Sequence, residues 1–132
     1  MPAWVIGKLE AALIARNATL RGCKVLVLGI AYKKNIGDVR ESPAATLMDL
    51  LVERGASVAY SDPHVPEFPP MREHRYDLKS VALSAESIAS YDVLLLATDH
   101  AAFDYALLKQ HAKLIVDTRG VYLEPAANVV KA

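Results

Sequence analysis

One cysteine, Cys23, is all the chain has, so no disulfide closes within it and a reducing compartment is the natural expectation. No apolar run approaches the ~18 residues of a transmembrane helix. Residues 1–10 also lack the order of basic segment, apolar core and small-residue cleavage site that marks a secretion signal. Excess charge is missing too. Lys plus Arg and Asp plus Glu each number 15, which argues against a general nucleic-acid binder or a polybasic membrane surface and makes any anion site local. The histidines, at 64, 74, 100 and 111, have no metal-ligand spacing, so no metal is expected. Two nucleotide-binding signatures are absent. Ala31-Tyr32-Lys33 follows Gly29 where a dinucleotide fingerprint needs a second glycine, and no Gly-Lys-Ser/Thr closes a phosphate loop. A cytoplasmic protein that contacts neither membrane nor nucleic acid is the expectation.

What is present is an alternation of strands and helices. At 132 residues the chain fits one domain. Residues 3 to about 17 read as an amphipathic helix with Trp4, Val5, Leu9, Ala12 and Leu13 on or near one face. The turn at Arg21-Gly22 leads into Lys24-Val25-Leu26-Val27-Leu28, a continuous apolar run suited to a strand buried on both faces. A helix is expected from about 43 to 54, with Ser42 as N-cap, Pro43 in the first turn and Gly55 as left-handed C-cap. Leu47, Met48, Leu50 and Leu51 form its buried side. A second strand, 56–61, stops at Asp62-Pro63, and the proline-rich, charged stretch 63–79 reads as a surface loop. A short strand near 78–81, a brief helix at 84–89, a buried strand at 91–97, a helix at 103–111 and a strand at 113–117 complete the reading. The expected fold is α/β: a three-layer, Rossmann-like domain with a parallel sheet of about five strands in the order 3-2-1-4-5, helices on both faces, and a preceding N-terminal helix.

In such a sheet, ligands gather outside the carboxyl ends of the strands where the strand order reverses. Three loops would meet there: 31–42, Thr98-Asp99-His100 and Asp117-Thr118-Arg119-Gly120. The first carries Lys33, Lys34 and Arg40, and the third carries Arg119. Distant segments would thus converge as a cationic cluster around a phosphate, with side chains replacing the backbone approach of a glycine-rich loop. A merely solvated rim is the alternative, strongest for Lys34. His100 stands at a strand end where a ligand is within reach. Asp62 occupies the place of a ribose-binding acid, although Asp-Pro is also an ordinary strand terminator and that reading is preferred. Cys23 precedes the first strand, at the end of the sheet away from the ligand, and reads as a packing residue.

These residues carry a resemblance. Lys24 to Pro43, KVLVLGIAYKKNIGDVRESP, with YSDP at 60–63, LLLATDH at 94–100 and VDTRG at 116–120, resembles the C-terminal, UDP-binding domain of the UDP-glucose/GDP-mannose dehydrogenase family. The opening MPAWVIGKL is similar to the end of that family's long central helix, particularly in the bacterial UDP-N-acetyl-hexosamine 6-dehydrogenases. The resemblance implies residues 1–20 as the end of the linking helix and 21–132 as the nucleotide-sugar (UDP) binding domain. It implies an enzyme that oxidises the C6 alcohol of a UDP-sugar to the uronate in two NAD-dependent steps, for polysaccharide precursor synthesis. Carried over by motif, Tyr32, Lys33 and Arg119 would bind substrate, and Arg40 would reach towards NAD held mainly by an N-terminal domain outside these residues. Neither that dinucleotide domain nor the family's catalytic cysteine has a counterpart here, so this chain alone is expected to be inactive, with no catalytic residue of its own. The missing NAD-binding half and a second copy in a homodimer are the expected partners. A free-standing nucleotide-binding or regulatory module without catalysis is the alternative.

Overall fold

A computed structural model describes residues 2–30, 43–67, 78–123 and 126–132. Five parallel strands form one sheet: β1 (Lys24–Leu28), β2 (Ser57–Ser61), β3 (Val93–Leu96), β4 (Ile115–Asp117) and β5 (Val129–Lys131), in the spatial order β2-β1-β3-β4-β5. Helices α1 (Pro2–Ala15) and α2 (Pro43–Glu53) cover one face, and α3 (Ala85–Ala89) and α4 (Tyr105–His111) cover the other.

The strands split their side chains as the pleat demands. Val25, Val27, Val93, Leu95 and Val116 face α1 and α2, whereas Leu26, Leu28, Leu94, Leu96 and Ile115 face α3 and α4. Because both faces are covered, these strands are apolar throughout instead of alternating with polar residues. Gly55, at φ 88°, ends α2 in a left-handed turn in which the Ala56 N–H returns to the Leu51 carbonyl over 3.1 Å. The expected N-cap, Ser42, lies outside the described residues. Asp104 caps α4 by accepting from the Leu107 N–H at 3.1 Å, and Ser84 and Ser87 form a reciprocal capping box on α3.

The α/β class, the parallel sheet and the helices on both faces are as expected, and four strands stand in the expected order. The outermost strand differs. Residues 78–81 do not join the sheet as a parallel strand; Lys79 makes an isolated antiparallel bridge to Glu67, and the Val81 N–H reaches the Tyr60 carbonyl at the β2 edge over 2.9 Å. The fifth strand is β5, beyond the last element expected. It fills the open edge of β4, with the Ile115 N–H donating to Asn128 O at 2.7 Å and the Asn128 amide bonding the Lys109 and Ala112 carbonyls at the end of α4.

The N-terminal helix also turns differently from expectation. Val5, Ile6, Leu9 and Leu13 are buried against α2 and the sheet, while Trp4 is 58% exposed with the Lys8 ammonium 5.1 Å from its ring centroid. Burial of the neighbouring 5-6-9-13 stripe rotates Trp4 outward. Arg16 then clamps the helix end to the domain, its guanidinium donating to Lys113 O at 2.8 Å and Ala127 O at 3.0 Å, and Arg54 pairs with Glu10 between α2 and α1. The helix expected from 103 begins at Tyr105; Leu108 in α4 and Phe103 just before it are buried, Leu107 is half-buried, and Ala106 faces solvent.

Candidate functional site

The strand order reverses between β1 and β3, and the carboxyl ends of the strands bring together the segments that begin at Gly29, Asp62, Thr98 and Asp117. Tyr32, Lys33, Lys34 and Arg40 lie outside the described residues. Arg119, the remaining expected ligand residue, stands just past β4.

Two carboxylates shape this rim. Asp117, 1% exposed at the end of β4, accepts the Arg119 and Gly120 N–H groups on Oδ1 and the Tyr122 N–H on Oδ2, each at 2.9 Å. That is the side-chain-to-backbone pattern by which an aspartate organises a tight turn, and Gly120 supplies the required positive φ of 71°. Thr118 donates its hydroxyl to Leu96 O at 2.6 Å, fastening the turn to β3. The turn therefore presents Arg119 from a fixed backbone. Its Nε donates to Asp99 Oδ1 at 3.4 Å, and no other bond occupies the guanidinium among the described residues. Asp99 and Arg119 belong to the two expected loops, which do converge; the third begins where the description stops.

Asp62 is the second carboxylate. Its Oδ2 accepts the Ile30 N–H at 2.9 Å and lies 2.9 Å from His100 Nε2, while Oδ1 accepts the His64 N–H at 2.8 Å. Both side chains of the Asp62–His100 pair are 0% exposed. His100 is thus turned into the fold instead of towards a ligand, and the Asp62 carboxylate is engaged by the strand ends instead of being open to a ribose. The preferred reading of Asp62 as a strand terminator agrees with this inward orientation, but the carboxylate also ties three strands together. A sequence signal for both carboxylates exists: each sits at the end of an apolar run, two residues before an N–H that it caps.

Gly29 explains the departure from a dinucleotide fold. At φ 82°, a Cβ there would lie 2.6 Å from Thr98 Cβ and 2.7 Å from Thr98 O. The glycine is needed for close approach of β1 to β3 instead of to a pyrophosphate. The described residues therefore offer no dinucleotide cradle.

A row of rings runs behind the rim. His64 lies edge-on to His100 at 4.7 Å, followed by Phe103 at 5.6 Å, Tyr105 at 6.1 Å and Tyr122 at 6.1 Å. Burial, reinforced by Asp99 and Asp117, pushes the Tyr105 hydroxyl up to about 12, and burial with Asp117 pushes Tyr122 higher still. Both stay neutral donors, Tyr105 to His100 O at 2.6 Å and Tyr122 to Tyr105 O at 2.8 Å. At the opposite end of the sheet, burial first and then the Asp92 carboxylate raise the Cys23 thiol to about 11. A thiol so held is a poor nucleophile at neutral pH.

Comparison with known proteins bears on the whole chain. A family model described as the UDP-glucose/GDP-mannose dehydrogenase family, UDP binding domain, matches residues 26–124. The UDP-N-acetyl-D-mannosamine dehydrogenase of Methanococcus vannielii is 33% identical over 129 residues, covering 92% of this chain and 28% of that protein. The UDP-glucose 6-dehydrogenase of Rhizobium meliloti is 33% identical over 115 residues, covering 83% of this chain and 26% of that protein. Among solved structures, the NDP-N-acetyl-D-galactosaminuronic acid dehydrogenase of Methanosarcina mazei superposes with a TM-score of 0.79 at 25% identity, over 99% of this chain and 28% of that one. The chain spans under a third of the length of these relatives.

Proposed function

Because this chain belongs to the UDP-glucose/GDP-mannose dehydrogenase family, over the span of its UDP binding domain, we propose that it is the substrate-binding domain of an NAD-dependent nucleotide-sugar 6-dehydrogenase. The assembled enzyme oxidises the C6 alcohol of a UDP-sugar to the uronate, supplying polysaccharide precursors in the cytoplasm. Residues 21–132 form the nucleotide-sugar domain, and residues 1–20 are the end of the helix that links it to the rest.

The observation that carries this reading is Arg119, held beside the reversal of strand order by the Asp117 turn, with its guanidinium engaged only through Nε among the described residues. Two terminal nitrogens in one plane match the two oxygens of a phosphate, and a fork of that kind neutralises charge as well as orienting it. Lys33 and Tyr32 complete the substrate contacts, the one as a second cation and the other as an apolar face with a hydrogen-bonding tip. Arg40 reaches towards NAD.

The residues present do not fit the dinucleotide itself. Gly29 is packed on Thr98 and Asp62 is turned inward, so NAD belongs to a second domain supplied by polypeptide outside this span. The thioester-forming cysteine belongs there as well, since Cys23 is buried at the wrong end of the sheet. The 132 residues alone therefore bind UDP and do not reduce NAD. A homodimer is supported by the outer side of α1, where Trp4 and Ile14 are 58% and 66% exposed although the helix already buries its inner stripe. A helix apolar on both sides suits burial on both sides.

Calorimetric titration of the chain with UDP tests the binding, and NAD reduction by UDP-sugars after adding the dinucleotide-binding half of a relative tests the assignment as an enzyme part. Saturable UDP binding with restored activity is the expected pair of results. Failure to bind millimolar UDP in a folded sample overturns the site, and binding without restored activity favours a free-standing nucleotide-binding module.

A further inference from the structure

The turn that presents Arg119 runs from Asp117 to Leu123, and three neighbours hold it. Inside it, the Asp117 carboxylate accepts three N–H groups. Towards β3, the Thr118 N–H and hydroxyl both reach Leu96 O, at 3.3 and 2.6 Å. Towards α4, the buried Tyr122 donates its hydroxyl to Tyr105 O at 2.8 Å. The two ends of the turn are held from the other side, by β5. The Ala132 N–H donates to Asp117 O at 3.0 Å, where the turn begins, and the Lys131 ammonium donates to Leu123 O at 3.5 Å, where it finishes. Leu123 is 82% exposed, so packing does not hold that end, and no other hydrogen bond reaches it among the described residues.

β5 is itself well anchored. Val129 packs against the core beneath α3 and α4, and Val130 and Ala132 pack against the core beneath α1 and α2. The Asn128 amide bonds the Lys109 and Ala112 carbonyls, and Arg16, at the end of α1, donates to Ala127 O. Parallel pairing then sets Lys131 beside Asp117, at the end of the sheet where Arg119 stands. We infer that Lys131 and Ala132 are positioning residues for Arg119: by taking the carbonyls at both ends of the 117–123 turn, they fix the backbone from which the guanidinium meets phosphate. A cation presented from a fixed turn loses less freedom when it closes on a ligand than one on a loose turn. Lys131 is exposed, so water screens its charge, and its part is to fix the end of the turn instead of attracting the anion. The inference rests on the proposed binding of UDP by Arg119.

The test uses the 132-residue chain with Lys131→Met, which keeps the aliphatic stem without the donor, and Ala132→Pro, which removes one N–H and is compatible with an extended residue before it. Three readouts are taken: amide NMR shifts of the ligand-free protein, the dissociation constant for UDP, and the same constant in an Arg119→Ala background, followed by NMR titration because binding there is weaker. The paired variant is expected to shift the amides of 118–123 more than those of β1 and β2, and to weaken UDP binding about three- to fivefold. Lys131→Arg with Ala132→Val, which keep both donors, is expected to return the shifts and the affinity towards the parent. In the Arg119→Ala background the paired variant should change the affinity by less than about 1.5-fold, since the strand acts through Arg119. A direct contact between Lys131 and phosphate, or a general loosening of the fold, would leave the full loss in place there. If the paired variant does not fold, Lys131→Met alone decides, with a loss of about twofold expected from one exposed bond. Unchanged amides at 118–123, unchanged UDP affinity, no rescue by the donor-keeping pair, or the same loss without Arg119 would overturn the inference. Should the parent chain itself not bind UDP, the ligand assignment fails, and the amide shifts still decide whether β5 holds the turn.

Discussion

The Arg119 guanidinium meets the Asp99 carboxylate through Nε, at 3.4 Å, and this side-on contact leaves the terminal nitrogens pointing away from the acid that orients them. An aspartate beside the proposed phosphate site looks counterproductive, since it repels an anion. Bound at Nε, however, it reduces the freedom that a long side chain loses when it closes on a ligand. Asp99 is partly exposed and Arg119 half-exposed, so water screens the pair and its worth lies in geometry more than in energy.

Arg119→Ala should therefore weaken UDP binding by roughly 1–3 kcal/mol while leaving thermal unfolding nearly unchanged, because a charge-assisted fork is lost from a solvent-facing side chain. Arg119→Lys should recover only part of that loss. Calorimetry on the two variants checks it; equal affinities would show that a point charge suffices and that no fork is made.

Asp117→Asn should be more damaging to stability than Asp99→Asn. The Asp117 carboxylate accepts three N–H groups, and an amide puts a donor where one acceptor stood. A loss of roughly 1–3 kcal/mol in denaturant unfolding is expected for Asp117→Asn, with Asp99→Asn within about 0.5 kcal/mol of the parent.

Gly29→Ala should destabilise more than Gly22→Ala. Both glycines have positive φ, 82° and 78°, but a methyl at 29 meets Thr98 whereas one at 22 meets open space. The second change costs about 1 kcal/mol for the backbone alone, and the first should exceed it clearly. Paired thermal melts decide the order.

Stability should decline in alkali. Burial raises Cys23 from 9.0 to about 11, and raises Tyr60 and Tyr105 from 10.0 to about 12. The unfolded chain then releases these protons first, so stability is fully present below pH 9 and falls as pH rises across 9 to 12. The tyrosines add a structural reason, because a phenolate cannot donate, and Tyr60 donates to Val65 O at 2.9 Å. Denaturant midpoints between pH 7 and 11 should show the decline, and Cys23→Ala should flatten its lower part.

Removing residues 1–20 should unfold the domain instead of merely dissociating a dimer, since Ile6, Leu9 and Leu13 are packed in the α1–α2 core. Leu9→Ala should cost about 2–5 kcal/mol. Trp4→Glu, by contrast, should leave the melt unchanged and lower self-association in sedimentation equilibrium, the exposed indole being outside the core.

Much of this architecture was legible in the amino-acid order because the signals are local. Apolar runs at 24–28 and 93–96, Pro43 and Gly55 around a helix, and the proline cluster after Asp62 act through neighbouring backbone, so β1, β3 and α2 follow from sequence with their parallel sheet. The placement of Arg119 beyond the end of β4 was legible for the same reason. What the tertiary structure decided is whatever depends on a partner distant in sequence. Val129–Lys131 is too short to announce a strand and becomes one because β4 offers an open edge. Residues 78–81 have strand-like composition yet meet β2 where only an isolated backbone bond forms. Trp4 is as apolar as Val5, and only the contact with α2 and the sheet determines which of them is buried. Asp62 and His100 are 38 residues apart, and their pairing exists solely because parallel strands bring their carboxyl ends to one rim.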